Sequence, residues 1–137
     1  MENFSFDHKN YKAITSDFVY NIDESECKKY RKHLRSVLKS FGVVVYKNSK
    51  ADLLEHNELA RTIWGMGGAA VLYDDTLPIK QQVISLAHEL GHVILHANAN
   101  RFRNDHGTKH IMELEAEIFA YAYLQILMKS EGKDVKI

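Results

Sequence analysis

The sequence predicts a small α+β domain in which a short, mostly antiparallel sheet packs on three main helices. Two apolar runs, at residues 43–47 and 69–73, have the length of strands. Three longer segments repeat apolar residues at helical spacing and predict the helices. The chain has 137 residues, 45% of them hydrophobic and 26% charged, which is enough apolar material for one core. We therefore treat residues 1–137 as a single domain.

The first half of the domain is predicted to contain one helix and the first strand. Asp23 and Glu26 have the spacing of a capping box, so the helix begins there, and it ends at Gly42. The apolar residues that recur at helical spacing in this segment are Tyr30, Leu34, Val37, Leu38 and Phe41. The strand follows directly. Residues 48–62 are polar, and we interpret residues 53–60 as a short helix.

Glycines separate this half from the second strand and the second helix. Three glycines within residues 65–68 interrupt the chain before the strand at 69–73. Residues 74–76 then form a turn, and Pro78 suits the first turn of the second helix.

The second helix carries the sequence His88-Glu89-Leu90-Gly91-His92. At about 100° and 1.5 Å per residue, His88 and His92 lie one turn apart on one face, where both imidazoles can bind the same ion. Glu89 lies about 60° around the helix from His92, so its carboxylate faces the position of a water bound to that ion. The pattern predicts a Zn²⁺ site with Glu89 as its catalytic base. The alternative is a pair of structural histidines.

A catalytic zinc site needs a third protein ligand. A histidine six residues after His92 is excluded, because that position is Asn98. On the third helix, Glu115 lies in the middle of the most apolar side, where a buried carboxylate needs a cation. Its apolar neighbours on that side are Ile111, Met112, Phe119, Ala122 and Ile126. Glu113 and Glu117 are predicted to be solvated, so the predicted ligand is Glu115.

Further polar side chains could take part in catalysis. Tyr73, His106 or His110 could stabilise an oxyanion, although a surface position is the common alternative for the histidines. His96 follows His88 by two turns, and we assign it to capping the helix or to holding a ligand.

Two segments are candidates for contact with a substrate. Residues 97–109 form either one wall of a cleft or a surface loop without a role. The strand at 69–73 is expected to lie along the cleft as a sheet edge, to which an extended peptide can add through main-chain hydrogen bonds.

Residues 68–120 resemble the ImmA/IrrE family of small metallopeptidases. The chain has an alanine before the HELGH motif, His96 after it, and then a stretch that is similar to the family's E-x-E-A-N-x-F-A pattern. That stretch reads Glu113-x-Glu115-Ala116-Glu117-x-Phe119-Ala120. Glu117 stands where the family usually has asparagine, and residues 123–126 replace the expected L-L-M-P.

The resemblance implies a zincin-like domain with zinc ligands His88, His92 and Glu115 and with Glu89 catalytic. It further implies a zinc metallopeptidase that hydrolyses a peptide bond in a protein substrate, namely a helix-turn-helix DNA-binding repressor encoded nearby. One alternative is a zinc-organised binding module that sequesters a repressor without cleaving it. A purely structural zinc protein is another, but structural sites favour cysteine ligands.

Charge and cysteine content limit which partners and which cellular compartment we expect. The formal net charge is zero, with 18 basic and 18 acidic residues, so no electrostatic attraction to nucleic acid or to a membrane is expected. The single cysteine and the lack of a signal-like or membrane-spanning segment lead us to expect a cytoplasmic protein. We expect about ten N-terminal and about eight C-terminal residues to be loosely ordered.

Overall fold

The computed structural model describes residues 15–65, 67–97 and 106–130, with side chains left out for residues 106–110 and 130. Both predicted loose termini and most of the 97–109 segment lie outside these ranges. Within them, the order of elements is α1 (residues 15–20), α2 (Glu24–Ser40), β1 (Val43–Lys47), α3 (Asn48–Ala51), β2 (Ala60–Gly65), β3 (Gly68–Tyr73), α4 (Ile79–His96) and α5 (His106–Ser130). The predicted α+β class is confirmed, with α2, α4 and α5 as its three long helices.

The sheet is mixed, with the strand order β1-β3-β2. β2 runs antiparallel to β3, but β1 runs parallel to it, with Val43 opposite Ala69 and Lys47 opposite Tyr73. The prediction of a mostly antiparallel sheet was therefore wrong for the two strands that the sequence identified. The reason is that the chain passes through α3 and β2 between them, and β2 reverses the direction before β3 begins.

The short helix that was expected over residues 53–60 is not formed: residues 53–59 are turns and irregular backbone, and strand β2 begins at Ala60. The helix in this region is α3, and it ends early because the Asn48 side chain accepts hydrogen bonds from the backbone N–H groups of Leu53 and Leu54, each at 2.9 Å. The backbone adopts positive φ at Asp52 (51°) and Asn57 (67°). After these turns the chain enters strand β2, which pairs antiparallel with β3.

The core lies between α2, the inner face of the sheet and α4. Helix α2 begins after Asp23, as predicted, although the Asp23 side chain makes no capping hydrogen bond. Its end at Gly42 is also confirmed, since that glycine has a φ of +78°. The fully buried core side chains include Tyr30, Leu34, Leu38, Val71, Tyr73, Val83, Leu86 and Leu90. This packing places the polar residues of α4 on the side that faces α5 and β2. No helix among the described residues is long and apolar enough to cross a bilayer.

Helices α4 and α5 run antiparallel and approach closely at Gly91. A Cβ placed on Gly91 would lie 3.1 Å from both Cα and O of Ala116 and 3.2 Å from Cδ1 of Phe119. Such distances are tighter than most real Cβ contacts. The missing side chain therefore lets the two helices come together next to His92.

We expect Gly91→Ala to destabilise the domain. A methyl group there must push against the backbone of a packed helix, and overpacking of this kind costs about 1–3 kcal/mol. The better helix propensity of alanine recovers only about 1 kcal/mol. Urea unfolding of the variant measures the net change in the free energy of unfolding. Gly67→Ala is the matched control, because nothing lies within 4 Å of a Cβ at Gly67. A Gly91→Ala protein as stable as the control would contradict the close packing.

Candidate metal centre

Three side chains from α4 and α5 converge at one point between the helices. Nε2 of His88 lies 3.0 Å from Oε2 of Glu113, and Nε2 of His92 lies 2.9 Å from Oε1 of the same carboxylate. The two Nε2 atoms are 3.1 Å apart. Both histidines come from adjacent turns of α4, as the spacing predicted, while Glu113 comes from the antiparallel helix α5.

This group has the dimensions of a metal site. Three ligand atoms that bind one Zn²⁺ at about 2.0–2.1 Å in a tetrahedral arrangement are about 3.3 Å apart. The two Nε2 atoms are 3.1 Å apart, and each lies 2.9–3.0 Å from one oxygen of the Glu113 carboxylate, which is close to that value. Two imidazole nitrogens and one carboxylate oxygen also form the donor set of known catalytic zinc sites. The residues present therefore fit a zinc ion.

The structure brings Glu113, and not Glu115, to the histidines. The Glu115 side chain is 50% exposed, and its Oε1 lies 3.2 Å from Nε2 of His96. The predicted apolar side of α5 is only partly buried, since Ile111 is 57% and Ile126 62% accessible. Helix α5 instead buries a side with two alanines, which permits the close approach at Gly91.

The prediction that Glu113 and Glu117 are solvated is also corrected. Glu113 is half-exposed at the cluster, whereas Glu117 is only 4% exposed. The Glu117 carboxylate lies 2.5 Å from Nδ1 of His88, the ring nitrogen that faces away from the cluster. A carboxylate in this position fixes the orientation of a ligating imidazole. Sequence reasoning recognised the departure from the family's asparagine here but not its position against His88.

The histidines and carboxylates of the cluster shift one another's proton affinities. Burial alone would lower the pKa of His88, but its contacts with Glu113 and Glu117 outweigh burial and raise that pKa to about 10. Burial likewise favours the neutral form of Glu113, yet its hydrogen bonds with His88 and His92 hold its pKa well below the usual range. The protein thus places concentrated negative charge around two imidazoles, which also favours a cation.

Glu89 lies beside the cluster without joining it. Its Oε2 is 3.8 Å from Nε2 of His88, and its Oε1 accepts a 2.9 Å hydrogen bond from Oγ1 of Thr62 on β2. Burial raises the pKa of Glu89 despite the opposing influence of His88, His92 and Thr62. A carboxylate with a raised pKa accepts a proton more readily, as a general base must. Sequence reasoning missed Thr62, although β-favouring residues at 62–64 gave a strand signal.

Tyr73 is not placed to stabilise an oxyanion. The side chain is fully buried, with its ring 5.8 Å from the Arg35 guanidinium on α2. It therefore belongs to the core and does not face the cluster. The side chains of His106 and His110 lie outside the described residues, as does most of the segment that was expected to line the cleft.

The strand at 69–73 is not a sheet edge. It forms β3, which is paired on both sides, so an added peptide cannot reach its main chain. Among the strands that the structure describes, β1 and β2 form the edges, and β2 carries Thr62 beside the cluster. The edge nearest the candidate site is therefore β2.

An HExxH helix, a glutamate from the next helix and a buried carboxylate beside a short sheet are typical of HExxH metallopeptidase domains. A family model places the chain more narrowly: residues 38–126 match Peptidase_M78, the IrrE N-terminal-like domain. The chain belongs to this family, as its resemblance to ImmA/IrrE proteins suggested. The match includes both histidines, Glu89 and Glu113. No curated protein and no solved structure matches the chain.

Proposed function

We propose that this protein is a zinc-dependent metalloendopeptidase with His88, His92 and Glu113 as ligands and Glu89 as general base. The observation that carries the proposal is the convergence of two imidazole nitrogens and one carboxylate, whose ligand atoms lie within 4.8 Å of one another, with the buried Glu89 carboxylate beside them. A purely structural site or a binding module has no need of such a base. The family supports a peptidase, and the donor set supports zinc.

The roles of the side chains follow from their positions. A zinc ion held by the cluster would act as a Lewis acid and lower the pKa of a water molecule to about 7. Glu89 would accept a proton from the attacking water through Oε2, the oxygen that lies 3.8 Å from Nε2 of His88, while Oε1 accepts the hydrogen bond from Thr62. The same carboxyl group delivers that proton to the amine of the leaving peptide. The hydrogen bond from Thr62 keeps Oε2 of Glu89 directed toward the attacking water.

We propose that the substrate is a protein segment in extended conformation, bound along β2. An edge strand offers unpaired main-chain groups that pair with any extended peptide, and β2 lies next to Glu89. The family resemblance supports a helix-turn-helix repressor encoded nearby as the substrate. Cleavage of the repressor would take place in the cytoplasm.

The direct test is cleavage of that repressor. The purified protein, loaded with zinc, is incubated with the repressor encoded next to it, and the intact mass of the repressor is followed over time. We expect two fragments to appear, and a chelator to stop their formation. Stable binding to the repressor with no cleavage would favour the zinc-organised binding module instead. If the purified protein binds no zinc, the proposed metal centre is incorrect.

A further inference from the structure

The imidazole of His92 has a second ring nitrogen whose contacts the proposed metal site does not use. Nδ1 of His92 lies 3.0 Å from Nδ1 of His96, one turn further along α4. Nε2 of His96 in turn lies 3.2 Å from Oε1 of Glu115. His96 is buried, at 4% exposure, while Glu115 is half-exposed. A hydrogen-bonded chain therefore leads from His92 to a carboxylate at the surface.

The direction of each hydrogen bond in this chain follows from the chemistry of imidazole. A neutral ring carries one N–H and one acceptor nitrogen. If Nε2 of His92 binds a metal, its proton must be on Nδ1, which then donates to Nδ1 of His96. The proton of a neutral His96 is consequently on Nε2, where it donates to Glu115. Each donor thus has an acceptor, and one arrangement of protons satisfies all three side chains.

We propose that His96 and Glu115 are positioning residues that hold His92 in the tautomer with a protonated Nδ1 and thereby direct Nε2 to the metal. This inference rests on the proposed metal centre. It gives Glu115, which the sequence suggested as a ligand, an indirect role in metal binding. The two ligating histidines are then held in different ways: His88 by direct contact with the Glu117 carboxylate, and His92 through a second imidazole.

The geometry makes the contribution of His96 larger than that of Glu115. His96 contacts the ligand itself and is buried, so its loss leaves the Nδ1–H of His92 without an acceptor. Outer partners of metal ligands typically contribute about 10–100-fold to metal affinity. Glu115 acts one residue further away and from the surface, where solvent can replace it. Its loss should therefore weaken zinc binding at most about tenfold.

The test compares zinc affinities, measured by competition with a chelator, for the full-length wild-type protein and four variants. His96→Leu removes the acceptor and should weaken binding about 10–100-fold. His96→Asn retains an acceptor oxygen near the position of Nδ1 and should restore much of the affinity. Glu115→Gln should have the smaller effect described above. His56→Leu, at an exposed histidine, is the matched control and should bind zinc as the wild type does.

A second readout separates positioning from a merely structural role. Long-range ¹H–¹⁵N spectra of the zinc-loaded wild-type protein should show His96 protonated on Nε2 and not on Nδ1, because its Nδ1 must accept the Nδ1 proton of His92. This measurement tests the contact even if His96→Leu does not fold. Wild-type zinc affinity in a folded His96→Leu protein, a proton on Nδ1 of His96, or metal on Nδ1 of His92 would overturn the inference while leaving the metal centre intact. Failure of the wild type to bind zinc would overturn the proposed metal centre as well.

Discussion

Replacing Glu89 by glutamine is expected to abolish measurable cleavage while leaving zinc bound. The amide cannot accept a proton from water, but its oxygen can still accept the hydrogen bond from Thr62, so the fold and the three ligands are preserved. General bases contribute typically about 10²–10⁴ in rate. The measurement is the initial rate of repressor cleavage, together with zinc content by metal analysis.

Two comparisons make this result specific. Glu55→Gln changes a glutamate whose side chain is 81% exposed, and it should cleave at the wild-type rate. His88→Ala should lose zinc and activity together, because it removes a ligand. Cleavage by Glu89→Gln at the wild-type rate would remove Glu89 from the mechanism.

Replacing Glu113 by alanine is expected to remove most of the bound zinc, whereas Glu115→Ala should retain it. Glu113 lies within 3.0 Å of both histidine Nε2 atoms, while Glu115 contacts His96 in the part of the chain that the structure describes. Loss of a ligand should exceed the roughly 10–100-fold effect of losing an outer partner, so we expect Glu113→Ala to weaken zinc binding by more than about 100-fold.

The two glutamate variants are an internal control for each other, since both remove one carboxylate from the same helix. Zinc content after dialysis and competition with a chelator give the comparison. The opposite pattern, with zinc lost in Glu115→Ala and retained in Glu113→Ala, would return the ligand role to Glu115.

The histidine pair could be predicted from the sequence because its geometry is local. His88, Glu89 and His92 lie within five residues of one helix, and the helical repeat alone fixes their relative positions. The long helices α2, α4 and α5 were predicted for the same reason, since each repeats its apolar residues over several turns.

The sequence did not predict which glutamate of α5 lies beside His88 and His92, because that position depends on packing between helices. The angular count placed the large apolar residues of α5 in the core, but α5 packs against Gly91 through a side that contains Ala116. Small residues permit close approach and contribute little to an apolar pattern. The side of α5 that faces α4 decides that Glu113, and not Glu115, lies beside the histidines. That side can be identified only when the packing of the two helices is known.

The errors in the sheet have a related cause. Residues 48–62 were interpreted as a polar segment, so no strand was predicted over residues 60–65 although residues 62–64 favour β-structure. The contact of β2 with the site runs through Thr62, which is 27 residues from Glu89 and belongs to no motif. The parallel pairing of β1 with β3 follows from the course of the chain through β2, which the two apolar runs do not encode.

On the proposed function, the position of β2 at the edge of the sheet restricts which bonds the protein could cut. A peptide that pairs with an edge strand must be extended, at about 3.3 Å per residue, whereas a helical segment rises only about 1.5 Å and uses its main-chain groups internally. The DNA-binding unit of a helix-turn-helix repressor is helical and would not pair in its folded form. On the proposed function, the scissile bond therefore lies in a linker, and cleavage would part the DNA-binding unit from the rest of the repressor without first unfolding either.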